Sequence, residues 1–229
     1  MTVGLAVVLP RLLLAVVDRL REQRLATRFP LPLDDAYFGA LVRSHRGEAV
    51  SAVVVPHVQA PSPQAVLGLR SILAAVMGPK TQLAVRVPVA YGNEEAAAGA
   101  IALAAPAAAS TPTPAPVPAL VIALMSSTAT PEPQAQGAFV DALSAALPPG
   151  ASLLVLVDES AFAARFGEAD PAATRRRAER RSAWTRLLAA HGRQPLFVDL
   201  ERGEPGPSAR ALREALDRPT GAASGQATR

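Results

Sequence analysis

The chain has 229 residues, half of them hydrophobic and 18% charged, with a formal net charge of +4 and a mean hydropathy of +0.22. These figures exclude a largely disordered polar chain. The lack of any cysteine excludes a disulfide scaffold or a zinc ribbon.

The first apolar run covers residues 3–17 (VGLAVVLPRLLLAVV), broken only by Arg11. A spanning helix needs about 20 apolar residues; this run is shorter and also holds Pro10. Its charges follow it, as Asp18, Arg19, Arg21, Glu22, Arg24 and Arg28. A secretory leader places its positive charge first, whereas apolar-then-arginine marks the cytoplasmic end of a membrane helix. An amphipathic helix docked on the core is one reading. A membrane-embedded or interfacial helix over residues 1–28 is the expectation, with Arg11, Arg19, Arg21 and Arg24 next to the membrane surface. The remainder then lies on the cytoplasmic face of the inner membrane, and the abrupt start is that of a chain beginning part-way through a longer protein.

Residues 29–48 form a connector. Pro30 and Pro32 stop the first helix, Asp34 and Asp35 can cap a short helix over 36–43, and 45–48 turn. From 49 to 217 an alternating pattern predicts one α/β domain. Strands are expected over 50–58, a β-branched run, and over 83–89, 119–125, 152–157 and 196–200, which are largely apolar. Helices are expected from 61–63 to Val76, over 94–104, 131–147, 161–166, 171–191 and 208–216. Residues 106–118 are low in complexity, rich in Ala and Pro, and read as a surface loop. The tail at 218–229 reads as disordered. The fold class is therefore three-layered α/β, a mainly parallel five-stranded sheet with helices on both faces, flavodoxin-like or GTPase-like, plus the N-terminal apolar helix. The expected strand order is 2-1-3-4-5, common in doubly wound sheets.

Lys80 is the sole lysine among 23 basic residues. Arginine over lysine with abundant alanine is a GC-rich coding habit rather than a nucleic-acid signal, since aromatic residues are only 4% and do not interleave with the basic ones. No nucleic-acid partner is expected. The three histidines, His45, His57 and His191, are far apart in sequence, and neither a metal nor a cofactor is expected.

Ligands of open α/β sheets sit beyond the carboxyl ends of the strands. The residues there are His57 after the first strand, Tyr91 after the second, Ser126 and Ser127 after the third, Asp158, Glu159 and Ser160 after the fourth, and Asp199 in the fifth. The loop after the first strand, QAPSPQ, lacks the glycines and lysine of a P-loop; no GxGxxG and no GxSxG occurs. Asp158-Glu159-Ser160 reads as a metal or general-base site, or as helix-capping by Asp158 and Ser160 with Glu159 facing solvent. His57 and Tyr91 carry two readings each, a core-edge residue or part of a site. If the domain is an enzyme, Asp158, Glu159, Ser160 and His57 are its candidates.

In the long helix, Trp184, Leu187, Leu188 and His191 form an apolar stripe. Extended backwards it reaches Arg177, Arg180 and Arg181. Arg177 and Arg181 are thereby placed on the buried side, near the strand-four carboxylates. They can pair with those carboxylates, or hold an anion or a partner. Arginines near a helix start oppose its dipole and call for an acidic neighbour.

The stretches LPRLLLAVVDRLREQRLATRFPLPLDDAYF, VPVAYGNE, LLVLVDESAFAARFG, AERRSAW and PLFVDL resemble a family of uncharacterised bacterial membrane proteins, in which several N-terminal membrane helices precede a cytoplasmic domain of unknown function. The resemblance runs from Leu9 to about Leu200 and is most specific in LPRLLL, VDESAFAARFG and PLFVDL. The family is often encoded beside a predicted membrane-associated GTPase, which implies a partner rather than an activity. The present chain departs from the family at its front, where the upstream helices would stand, and resembles its C-terminal cytoplasmic half. The resemblance implies no catalytic residues. The expected function is a membrane-anchored interaction or regulatory module, non-catalytic, coupled to a GTPase-type partner. The alternative is a degenerate nucleotide- or phosphate-binding enzyme that uses the strand-four carboxylates and the arginine helix.

Overall fold

The computed structural model describes residues 50–102, 118–167, 171–202 and 205–217. The readings made for 1–49, for the Pro/Ala-rich loop up to 117, for Asp170 and for 218–229 lie outside the described residues. Among the described residues no helix is long and apolar enough to cross a membrane.

Five strands form one parallel sheet: β1 (Ser51–Pro56), β2 (Gln82–Val85), β3 (Leu120–Ser126), β4 (Ser152–Asp158) and β5 (Pro195–Val198), in the order β2-β1-β3-β4-β5. The register sets Val54 beside Ile122, Ile122 beside Leu154, and Leu156 beside Leu196. Apart from Ser51, Ser126, Ser152 and Asp158 at their ends, the central strands are apolar because both faces are covered, as parallel sheets require. Alternation then divides their side chains. Ala52, Val54, Leu120, Ile122, Leu154 and Leu156 face one apolar cluster, whereas Val53, Val55, Val121, Ala123, Val155 and Val157 face the other.

The first cluster is closed by α1 (Pro63–Met77) and by α6 (Pro205–Asp217), which pack against each other through Leu69, Leu73, Ala209 and Leu212. The second is closed by α2 (Ala97–Ala102), α3 (Ala138–Ala145) and α5 (Pro171–Ala190), through Ile101, Phe139, Leu143 and Trp184. The short α4 (Ser160–Phe166) follows β4 directly. In α1, Ser62 accepts a hydrogen bond from the Ala65 N–H and Pro63 stands at the first helical position, a start that leaves few orphan donors.

Several elements are shorter than their sequence patterns. β1 ends at Pro56 because Val58 breaks away with a positive φ of 64°. β2 ends at Val85; only Val89 returns, in a single parallel bridge to His57. Pro88 lies between them and has no N–H to donate. The helix expected over 94–104 begins as a 3-10 turn, Glu94–Ala96, and the one expected over 131–147 begins as a π turn, Pro133–Gly137. In the π turn the Glu132 carbonyl accepts from the N–H groups of Ala135, Gln136 and Gly137 in succession. The Gln136 side chain reaches back to the Glu132 N–H, as the partner residue of a capping box does.

Candidate functional site

In this strand order the chain reverses direction of winding between β1 and β3, and a crevice is expected outside their carboxyl ends. A cavity of about 320 Å³ lies there, lined by residues that include His57, Tyr91, Ser126, Thr128, Glu132 and Trp184.

His57 follows β1 directly. Its backbone N–H bonds to the Leu124 carbonyl, its ring lies 4.9 Å from Phe139, and it is 4% exposed. Its Nε2 is 3.4 Å from Glu94 Oε1, which also accepts from the Gly92 N–H. Burial pushes the His57 pKa below its usual value, against the opposing pull of Glu94. Burial would raise Glu94, but the N–H groups of Gly92 and of Glu94 itself, together with His57, outweigh it and hold the carboxyl low. The pair is thus a neutral imidazole beside a carboxylate, satisfied within the fold. Tyr91 stands at the mouth, 63% exposed, and its phenol donates to Glu132 Oε2 at 2.9 Å. The Glu132 carboxylate, by accepting that hydrogen bond and by its charge, raises the Tyr91 pKa.

Val58 is the one described non-glycine residue with positive φ. The Gln59 N–H bonds to the His57 carbonyl at 2.7 Å, so Val58 is the centre of a positive-φ γ-turn, a strained conformation for a β-branched residue. Val58→Gly is expected to relieve about 1 kcal/mol net of glycine's extra chain entropy, raising Tm by about 2–4 °C. A lower Tm on thermal unfolding would show that the exposed side chain, not the turn, is what matters there.

The β4 end is arranged differently. Asp158 Oδ1 accepts from the Ser160 N–H, the Ser160 hydroxyl and the Leu200 N–H. The same hydroxyl is 3.0 Å from Asp199 Oδ1, and accepts from the Glu201 N–H. Asp199 Oδ1 takes the N–H groups of Glu201 and Arg202. Asp158 thus takes the first N–H of α4 and the Ser160 hydroxyl ties that helix to the β5 end, but Ser160 does not cap it: the N-cap position is Glu159, whose side chain makes no cap bond. Glu159 does not face solvent. It is 5% exposed and forms a two-pronged ion pair with Arg181, Nε to Oε1 at 2.6 Å and Nη2 to Oε2 at 2.5 Å. Arg181 is itself half-exposed, with its guanidinium over Phe197. The Glu159 hydrogen bonds raise the Arg181 pKa.

Of the other expected residues, Arg177 is half-buried, 6.0 Å over Phe162, rather than paired with the carboxylates. Arg180 donates to the Ala129 carbonyl. Ser126 bonds Thr128 at the rim, whereas Ser127 is buried, its N–H on the Asp158 carbonyl. A second cavity, about 480 Å³, adjoins α4 and α5 and is lined by Arg165, Arg176 and Arg180 with Phe162 and Phe166. Sequence pattern alone does not find Glu132, Gln136 and Trp184 as part of the site. Only the π turn and the α5 packing bring them to the crevice.

Burial raises the Asp158 pKa above its ordinary 3.8, the Ser160 and Leu200 bonds oppose this, and Asp199 adds to it. A raised folded value means stability fully present below about 3.8 and lost as pH rises through the folded value, so the charge is a cost at neutrality. Asp158→Asn keeps an oxygen where all three bonds fall. It is expected to hold or raise Tm at pH 7 and to remove that part of the pH dependence. A loss of several degrees at pH 7 would show that the carboxylate's charge is needed.

Comparison with known protein families, with curated proteins and with solved structures finds no match to this chain in any of the three. Among the described residues no group of three or more His, Cys, Asp or Glu side chains is placed to hold a metal ion.

Proposed function

We propose that this α/β domain is a non-catalytic interaction or regulatory module, held next to the inner membrane on its cytoplasmic face and coupled to a GTPase-type partner. The observation that supports the non-catalytic part is the occupied β4 rim: Asp158 Oδ1 takes three hydrogen bonds from Ser160 and Leu200, and Glu159 is held by Arg181, beside a cavity of about 200 Å³ lined by Asp158 and Ser160. A general base or metal ligand needs free lone pairs aimed at a substrate. The α1 N-terminus, the usual seat for a phosphate in such folds, already has an anion of its own, since Ser62 donates to Glu201 Oε1. The membrane and partner parts rest on the apolar-then-arginine N-terminus and the family resemblance.

The test is nucleotide turnover by a membrane-associated GTPase of the type encoded beside genes of the resembled family, with and without the purified protein. A change in rate together with co-purification is expected; neither occurring removes the reading. A chain beginning at Arg28 is expected to fold and stay in solution without detergent, by circular dichroism and size exclusion, whereas the full chain requires detergent. If the shortened chain unfolds, the N-terminal helix belongs to the core instead.

The second reading, a degenerate nucleotide- or phosphate-binding enzyme, is favoured by one feature, the arginine-lined cavity beside α4 and α5. Calorimetry against nucleoside triphosphates with and without magnesium decides it. Heat that disappears on Asp158→Ala would establish it, and no heat would remove it.

A further inference from the structure

We propose that the β1/β3 cavity binds an uncharged planar heterocycle bearing N–H donors beside a carbonyl, the chemistry of a nucleobase, and rejects its phosphorylated forms. This rests on the reading of the domain as a regulatory module and names the small molecule that such a module would sense.

Three observations converge on it. The first is place and size: the cavity occupies the crevice at the switch of winding, and about 320 Å³ is at the small end of ligand pockets, roughly 300–1,000 Å³. The second is charge. No lysine or arginine lines the cavity, while the Glu132 carboxylate does. His57 is kept neutral by its burial. An anionic group would enter beside a carboxylate with no cation to meet it, and the phosphate seat at α1 is taken by Glu201.

The third is an unmet donor. Trp184 forms part of the cavity wall, is 0% exposed, and its indole N–H has no acceptor in the protein. Indole can only donate, and a buried donor left unpaired is costly. The nitrogen is covered in this structure, so a ligand carbonyl reaches it by displacing part of the wall and then supplies the missing acceptor. On the opposite requirement, Glu132 can only accept, and its second role after Tyr91 is to take a ligand N–H. A ring with an N–H next to a C=O meets both demands at once. The exposed Tyr91 and Val58 at the mouth offer flat and apolar surface to such a ring. The irregular backbone is concentrated here as well, in the γ-turn at Val58 and the π turn after Glu132, and both kinds of distortion cluster at functional sites.

Trp184 is the only tryptophan of the chain, so its emission reports on this cavity wall and the core packed behind it. Guanosine, adenosine, cytidine and uridine, each with its 5′-monophosphate, are titrated against the full chain by Trp184 emission and by calorimetry. At least one nucleoside is expected to bind saturably, and its monophosphate at least tenfold more weakly. Glu132→Gln is expected to weaken the nucleoside about tenfold and to narrow the gap to the monophosphate. Arg70→Ala, on the exposed face of α1 and lining none of these cavities, is expected to change neither. The proposal is overturned if no nucleoside binds by either readout, or if a monophosphate binds as tightly as its nucleoside. Failure of all nucleosides while the protein still alters GTPase turnover removes this inference alone. Magnesium-dependent triphosphate binding lost on Asp158→Ala removes the module reading and this inference with it.

Discussion

Gly68→Ala is expected to destabilise the domain by about 3 kcal/mol or more, a fall in Tm of roughly 6–12 °C. Helix propensity alone gives the opposite sign, since alanine in a helix interior is favoured over glycine by about 1 kcal/mol. Sterics decide. A Cβ on Gly68 would stand 1.9 Å from the Leu200 carbonyl oxygen. That atom belongs to the backbone, just after β5, so no rotamer change removes the clash; α1 must move off the sheet. Gly99, in α2, has open space where a Cβ would go, with nothing within 4 Å. Gly99→Ala is therefore the control, and is expected to raise Tm slightly. Equal Tm for Gly68→Ala and the parent chain would mean that α1 can shift without cost.

The second large effect is at the ion pair beneath the β4 rim. Arg181→Ala leaves the Glu159 carboxylate buried without its partner. Breaking a fully buried pair costs about 3–5 kcal/mol. Arg181 is 46% exposed, so water can reach part of the vacated space and the expected loss is about 2 kcal/mol. Glu159→Gln combined with Arg181→Met removes both charges and keeps an apolar stem over Phe197. This double variant is expected to recover at least half of the single variant's loss in denaturant unfolding. If it is as unstable as Arg181→Ala, the pair's role is steric packing and not charge compensation.

The architecture is open to reading from the sequence because the strands carry their own signal. Runs such as Val53-Val54-Val55 and Leu120-Val121-Ile122 are buried on both faces, and only a covered parallel sheet tolerates that. The helix start at Pro63 is equally local and occurs as expected, whereas of the capping read for Asp158 and Ser160 only the Asp158 bond to the first N–H of α4 is present. Glu159 read from its own segment is either a site residue or solvent-facing; its ion pair is legible only from the arginine helix, whose apolar stripe places Arg181 near the strand-four carboxylates. Its burial depends on α5 lying across the β4 end, which no property of Asp158-Glu159-Ser160 reveals. His57–Glu94 and Tyr91–Glu132 are likewise pairs of residues distant in the chain, joined because β1, β2 and β3 are neighbours. Gly68 looks like a weak helix residue until Leu200 is placed against it. The γ-turn at Val58 runs against the residue's own preference, so sequence pattern extends β1 through it.

The packing of α6 over α1 has a consequence for how the protein is made. The apolar side of α1 is translated early, yet residues that pack on it from α6, Ala209 and Leu212, are among the last described ones. A nascent chain on the ribosome therefore carries that surface uncovered until α6 emerges, so products terminated before it are aggregation-prone and chaperone clients by construction.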